Sequence, residues 1–532
     1  MKKIILSLAT ALMCGSALMA QTTYEAANLL GNDLNGTARF VGMGGAMSAL
    51  GADISTMGTN PAGIGLYRRC DMMMTFSGNG TNTDTQFGSV NNSALRHYGS
   101  LDNVGMVFSN KHSNEGILRF INFGYNYHRS KNFSQNLYME GPLNGLSQTG
   151  QMAAQVYDNV DNIGDAFFDY SNEAHCFANN NYYGNASFGW LSLMGSDARL
   201  VDANVFEQGF YYPSDYATFS SKQGGSINQH DFNLSFNFID QVYFGATFSY
   251  IDAGYQLYSI YTEEFNNPDY CPGNYVFENW YKTRAYGYNG SIGAIIRPFA
   301  ESSFRIGVAA TTNTLFNVSD YNSAIIQSTL FDSAVDENGN TCDAVYTMDT
   351  QSEDAFGADC KTNYTAVTPG KINVSLGYTL PMGLALGAEW ESCDFGRARL
   401  LDNEGRANMV MNEHTLNNLT TQNTLRLGVE KAFDSKFYAR LGYNYTAGGY
   451  RKDAWKMIPI NSVQTNTDYS NILSNNVATA GIGYHGDLFY VDAAFVYGIQ
   501  KSDFYPFDNT ELRATNVSRR NIRGLCTLGM KF

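Results

Sequence analysis

The side chains that most often carry chemistry are all present in this chain, but not in the spacings that chemistry needs. Its seven histidines are scattered, with no HExxH pair for zinc, and no GxSxG elbow or Walker-type loop supplies a nucleophile or cradles a phosphate. Gly42-Met43-Gly44-Gly45 has the flexibility of a phosphate loop, but a dinucleotide fingerprint needs a third glycine where Met47 stands. None of the eight cysteines forms a CxxC pair, which argues against a metal centre and a dense disulfide framework. Cys342 and Cys360 share one long segment and either pair in an oxidising compartment or remain two free thiols. Glu389, Glu391, Arg426, Glu430 and Arg440 fall on the polar face of alternating segments. There they hold a plug, line a polar path, or stand as ordinary lumen charge. The pattern therefore points to no catalytic residue, no metal and no cofactor, and attention passes to binding and passage.

The densest local signal is Thr37 to Arg69, which holds Gly42, Gly44, Gly45, Gly51, Gly58, Gly63 and Gly65 but no long apolar face. Such a segment cannot build its own core. Glycine lets backbone approach backbone, so the run suits a compact plug pressed against surrounding walls; a glycine-rich loop of a soluble β-protein is the blander reading. Asn60-Pro61 marks a turn within it. In Asn60-Pro61-Ala62, in the run Gly42 to Ala46, and in Ala52-Asp53-Ile54-Ser55-Thr56, the stretch resembles the N-terminal hatch of the FadL-type outer-membrane transporters of hydrophobic compounds. The resemblance implies a transmembrane antiparallel β-barrel with residues 21–69 as a hatch inside its lumen. It also implies passive uptake of hydrophobic small molecules, such as long-chain fatty acids or aromatic hydrocarbons, by lateral diffusion into outer-membrane lipid. In that family the molecule leaves through a gap where the third strand kinks. Here that strand is Ile117 to His128, with Asn122, Gly124 and Asn126 on the inner face, and an interior glycine often marks a bend, which places Gly124 at the gap. Relatives with the same hatch motif also serve as structural or secretion-associated surface proteins that bind other proteins through their loops. A barrel hydrolase is a third class, supported by no motif.

The elements that position these residues are strands. From Cys70 onward apolar residues recur at every second place, as in Phe232, Leu234, Phe236 and Phe238 against Asn233, Ser235 and Asn237. The same alternation runs through Ile372 to Leu380, Leu425 to Val429 and Phe437 to Tyr445. It predicts about fourteen strands over residues 70–532, near 71–78, 103–109, 117–128, 228–239, 242–254, 284–297, 303–312, 371–380, 383–393, 421–432, 436–447, 476–485, 487–497 and 521–532. An even number suits a closed all-β barrel. Connections alternate between short turns and long segments, the longest at 129–227 and 313–370, as expected of a barrel with short turns on one side of a membrane and long loops on the other. The last strand, with Cys526, Leu528, Met530 and Phe532 on one face, resembles the signal by which barrel-insertion machinery recognises its substrates.

Composition agrees. With 36 Tyr, 34 Phe and only 4 Trp the chain suits interfacial strands, and a mean hydropathy of -0.27 is what a polar lumen combined with an apolar belt produces. A formal net charge of -15 excludes nucleic acid as a partner. Residues 1–20 read as a signal peptide: Lys2 and Lys3 are its basic region, Ile4 to Leu12 its apolar region, and cleavage is expected after Ala20.

Overall fold

The computed structural model describes residues 21–163, 183–184, 189–201, 212–266, 272–336, 339–353, 355–434 and 436–532. Residues 1–20, read from sequence as a signal peptide, and most of the Tyr- and Asn-rich segment 179–190 lie outside the described residues. Nineteen strand segments run antiparallel: β1 (Asp71–Phe87), β2 (Val90–Lys111), β3 (Leu118–Asn132), β4 (Gln135–Pro142), β5 (Tyr216–Phe238), β6 (Val242–Phe265), β7 (Gly273–Ile296), β8 (Arg305–Thr311), β9 (Thr314–Val335), β10 (Thr341–Asp349), β11 (Cys360–Thr368), β12 (Lys371–Leu380), β13 (Leu384–Asp394), β14 (Arg399–Leu401), β15 (Thr421–Ala432), β16 (Phe437–Ala447), β17 (Tyr469–His485), β18 (Phe489–Tyr505) and β19 (Thr515–Lys531). They make fourteen staves, because β3 continues as β4, β8 as β9, β11 as β12 and β13 as β14, while β10 is a side hairpin on β9. β1 pairs with β19 from Asp71↔Lys531 to Gln86↔Asn516 and closes the cylinder. Cys70 and Phe532 exchange both backbone bonds at 3.1 Å, so the first and last strands leave no open edge at that end.

The short turns at 112–117, 239–241, 297–304, 381–383, 433–436 and 486–488 lie at the end that holds Asp71 and Lys531, here the turn end; the connections expected to be long lie at the opposite, loop end. Several of those connections are strand. Residues 79–102 form an extended hairpin that turns at Gly88 (φ 61°), since alternation persists where the chain has left the belt.

Burial is inverted relative to a water-soluble protein. Phe232, Leu234, Ile372, Leu376, Leu425 and Leu441 point outward and are exposed, while Asn233, Ser235, Asn237, Asn373 and Ser375 point inward and are buried. Only lipid makes an exposed apolar belt and a polar interior the low-energy arrangement; the chain is a membrane-spanning β-barrel. A row of rings caps the belt towards the loop end: Tyr125 and Tyr127 against His230, His230 against Tyr250, and Tyr250 against Tyr288, with centroids 5.3–6.3 Å apart. Amphipathic rings settle at the membrane–water boundary, so this row marks it.

Two bodies fill the barrel. At the turn end, helix α1 (Thr23–Asn28), helix α2 (Ala38–Gly42) and two 3₁₀ turns, Ile54–Gly58 and Pro61–Leu66, form a plug against the inner wall. At the loop end, helices α3 (Gln148–Ile163) and α4 (Trp190–Asp197) carry an apolar core. Met152, fully buried Trp190, Leu193 and Met194 pack on Phe219, Phe277, Ile326 and Phe504 of the upper wall. Helix α5 (Met409–Asn418) sits between the two bodies and meets α1 through Thr23 Oγ1 and His414 Nδ1, 2.8 Å apart.

The wall receives the plug on glycine. Gly377, Gly387, Gly428 and Gly442 stand directly opposite one another across β12, β13, β15 and β16. A methyl at Gly387 would lie 2.0 Å from Ala46 O, one at Gly428 2.3 Å from Met43 O, and one at Gly442 2.1 Å from Gly44 N. Plug and wall therefore meet backbone to backbone, which no side chain permits. Gly442→Ala should displace the plug, exposing residues 38–50 to protease in the folded, heat-modifiable barrel, whereas Gly524→Ala, with nothing within 4 Å, should not. Equal protection in both variants would refute the glycine row as the plug's seat.

Candidate functional site

Asn60, Pro61 and Ala62 are fully or nearly fully enclosed by the wall. Asn60 caps the 3₁₀ turn that Pro61 begins, its Oδ1 accepting from Ala62 N at 3.1 Å, and its Nδ2 donates to Ala294 O of β7 at 3.3 Å. Pro61 O accepts from Asn233 Nδ2 of β5 at 3.2 Å. Opposite them, Gly245 and Gly293 are register partners on β6 and β7; a methyl at Gly293 would lie 2.1 Å from Asn60 Oδ1, and one at Gly245 2.4 Å from Pro61 O. The motif thus joins a capped turn to the wall. Gly44 and Gly45 take φ of 63° and 81°; Gly44 lies against the backbone of Tyr443 and Gly42 against Gly481 of β17, while Gly45 faces the side chains of Leu34 and Arg426.

The five charged residues singled out from sequence converge on the plug. Arg39 of α2 clasps Glu430 with two bonds of 2.9 and 2.8 Å. Glu430 also accepts from Arg440 Nε at 2.6 Å, and Arg440 Nη1 donates to Asp492 at 2.5 Å, beside His485 at 3.1 Å. A second group joins Arg426 to Glu389 and, at 3.3 Å, to Glu391, while Ser48 Oγ of the plug donates to Glu389 at 2.5 Å. Within the plug, burial pushes the Asp53 carboxyl above the usual carboxylate range against the pull of Arg39, Thr37 and Ser55. The signal for Arg39 and Asp492 was weak, because each has a partner more than fifty positions or a whole barrel strand away.

The wall itself changes character just above the ring row. The β2–β3 ladder runs without a shift from Lys111↔Phe120 to Asn103↔His128 and then stops. Gly124 lies inside this ladder, paired with Val107 on one side and Asn233 on the other, so it is not the gap. On its inner side the tip of the Met57 side chain of the plug lies 2.1 Å from where a methyl would stand. Beyond the stop, β2 from Val90 to Leu101 pairs with β1 alone, and β3 and β4 pair with β5 alone. Both lips carry a register break: β2 at Asp102, between Leu101 and Asn103, and β3 at Ser130, between Arg129 and Lys131. Bulges of this kind end pairing and re-aim side chains.

The seam is covered from within by the extended segment that follows α1. Asp33 N donates to Ser130 O at 2.8 Å, Asp33 Oδ2 accepts from Asn132 N at 2.9 Å, and Asn35 Nδ2 donates both to Arg129 O at 3.0 Å and to Asp102 Oδ1 at 3.2 Å. Arg523 of β19 holds Asn35 Oδ1 at 3.2 Å and Leu34 O at 2.5 Å. Asn35 therefore spans both lips. Farther up, only side chains bridge β2 to the β4–β5 side, among them Arg96 Nη1 to Gln223 O at 2.6 Å and Asn136 Nδ2 to Leu95 O at 3.1 Å.

Behind the seam lies a chamber of about 160 Å³ lined by Tyr24, Phe133, Tyr255, Tyr281 and Tyr450 together with Lys131, Gln223 and Arg519. Burial raises the Asp468 carboxyl at its rim to about 6, opposed by Lys456. Nearer the plug, a cavity of about 90 Å³ is walled mainly by Ser, Thr, Asn and Gln, such as Ser130, Gln229 and Asn289. Among the described residues no group of three His, Cys, Asp or Glu is placed to hold a metal, and Cys342 and Cys360 are free thiols.

Among solved structures, the chain is similar to the P. putida toluene transporter TodX, at 10% identity over 94% of this chain and 99% of that one with a TM-score of 0.44. It is similar to the Ralstonia pickettii toluene transporter TbuX, at 11% identity, 94% and 99% coverage and a TM-score of 0.47. A Pseudomonas aeruginosa FadL homologue is similar at 11% identity, 97% and 98% coverage and a TM-score of 0.45. No family model and no curated protein matches the chain.

Two outcomes test the site. Asn60→Ala removes a cap worth about 1 kcal/mol, so deuterium exchange at residues 61–66 should speed up several-fold; unchanged exchange would refute the capping role. Arg440→Met strips Glu430 and Asp492 of a fully buried partner, a loss of about 3–5 kcal/mol, and should lower the temperature at which the heat-modifiable band converts. An unchanged conversion temperature would show the ion pairs to be idle.

Proposed function

We propose that the chain is an outer-membrane channel for the passive uptake of hydrophobic compounds, which leave the lumen sideways into the bilayer through the seam between β2 and β3. The observation that carries this reading is the place where backbone pairing stops, at the ring row that marks the membrane boundary, where Asn35 of the plug segment spans both lips and Asp33 ties to β3. A molecule leaving at the lower end of the seam meets lipid at the ring row, and each CH₂ it keeps out of water is worth about 0.8 kcal/mol. Residues 21–69 are the hatch in this reading, and movement of 33–35 frees the passage.

The ring faces of the chamber suit an apolar or aromatic molecule, and its charges are balanced, with Lys131, Lys456 and Arg519 beside Glu25, Asp33 and Asp468. Use of the loops as a protein-binding surface is the weaker reading, since among the described residues Met152 and Ala153 of α3 and the apolar residues of α4 are gathered into a buried core. The strand ending at Phe532 suits recognition by barrel-insertion machinery, and a signal peptide over 1–20 suits the same destination.

Uptake of a labelled long-chain fatty acid should be several-fold faster in cells making the full chain than in cells lacking it, and at least as fast again with Asp33→Ala and Asn35→Ala combined. Equal uptake with and without the protein would overturn the proposal.

A further inference from the structure

A groove enclosing about 670 Å³ lies on the outside of the barrel. Its floor is the outward face of β6, β7 and β9, where Tyr258 stacks beside Trp280 with centroids 5.1 Å apart and Tyr321 follows. Its far bank is the loop 350–359, which leaves the sheet after β10 and returns at β11 because β9 gives its upper edge to β10 and its lower edge to β11. The bank is built: Gln351 N donates to Asp349 Oδ1 at 2.8 Å, and Gln351 Nε2 donates to Asp359 Oδ1 at 2.5 Å. The near bank carries Lys222, Gln256 and Lys282.

Height selects the occupant. Trp280 stands six residues along β7 from Tyr286, an exposed ring of the upper belt, or about 20 Å along the strand. A groove so placed faces neither acyl chains nor the lumen but whatever surrounds a barrel beyond the lipid boundary. In an outer leaflet that is the headgroup sugar of the lipid. The chemistry agrees: sugar rings present C–H faces that pack on aromatic rings and hydroxyl edges that bond to amides, carboxylates and ammonium groups. An acyl chain would cover Gln256, Lys222 and Lys282 without offering them a polar partner.

We propose that this groove binds the saccharide portion of the outer-leaflet glycolipid, with Trp280 and Tyr258 as the platform and Lys282, Gln256 and Asp349 as polar partners. The site is separate from the lumen and the seam, and it rests on the outer-membrane reading but not on transport.

The test uses the full chain in detergent and isothermal titration with two probes, intact lipopolysaccharide and its deacylated, water-soluble oligosaccharide. The oligosaccharide should bind saturably, and Trp280→Ala should weaken it about tenfold or more, whereas Trp390→Ala, an exposed belt residue, should leave it unchanged. Failure of the oligosaccharide to bind while intact lipid does would assign binding to the belt and overturn the proposal. So would equal effects of the two tryptophan variants. Lys282→Gln serves as the second groove variant if Trp280→Ala loses the heat-modifiable band, and an unchanged affinity there would likewise refute the site. Fatty-acid uptake should be unaffected by Lys282→Gln, which keeps this outcome independent of the channel reading.

Discussion

Lipid offers no hydrogen bonds, and every other feature of the molecule follows from that. Each N–H and C=O at membrane depth must find its partner within the protein, so the strands close on themselves and the two ends of the barrel chain meet at Cys70 and Phe532. The β2–β3 seam obeys the same requirement. It opens only where the ring row says the lipid ends, and the freed groups of Arg129, Ser130 and Asn132 are taken up by Asp33 and Asn35. A free strand edge is thereby satisfied by a segment of the plug and not by a neighbouring strand.

The plug is held by two materials with different properties. Glycine rows on β12, β13, β15, β16 and on β6 and β7 let its backbone lie flat on the wall, a contact that gives close packing but little directional preference. The groups around Glu430 and Glu389 supply the direction. Buried ion pairs add little net stability because desolvation offsets their attraction, but a misplaced partner leaves a bare charge and is strongly disfavoured. Arg39 on Glu430 and Ser48 on Glu389 thus register the plug against a surface that would otherwise accept it in several positions.

The loop end has the opposite construction. There α3 and α4 bring an apolar core to the rim of a polar barrel, and the upper wall answers with Phe219, Phe277 and Phe504 facing inward. The inside of the cylinder is therefore polar beside the plug, aromatic and amphipathic in the chamber, and apolar under the cap. The seam lies beside the middle zone, so the chamber behind it is the part of the lumen nearest the break in the wall.

Period-two alternation, the sorting of connections by length, and the glycine-dense plug segment were all legible in the chain, because a strand between lipid and lumen writes its two environments into every second residue. The inward charges at 389, 391, 426, 430 and 440 were legible for the same reason, but their purpose was not: Arg39 and Asp492 complete them from other parts of the chain. Gly124 shows the limit most plainly. Sequence marks a glycine in a strand without saying whether it bends the strand or makes room for a neighbour, and only the packed structure places Met57 against it. The seam likewise depends on which strand each residue of β2 and β3 pairs with across the barrel, and pairing partners are set by closure of the whole cylinder, not by any local run of residues. Sequence alone thus determined that the chain spans a membrane as a plugged barrel, while tertiary structure decided where its wall can part, since a local pattern records a residue's environment and not its neighbour.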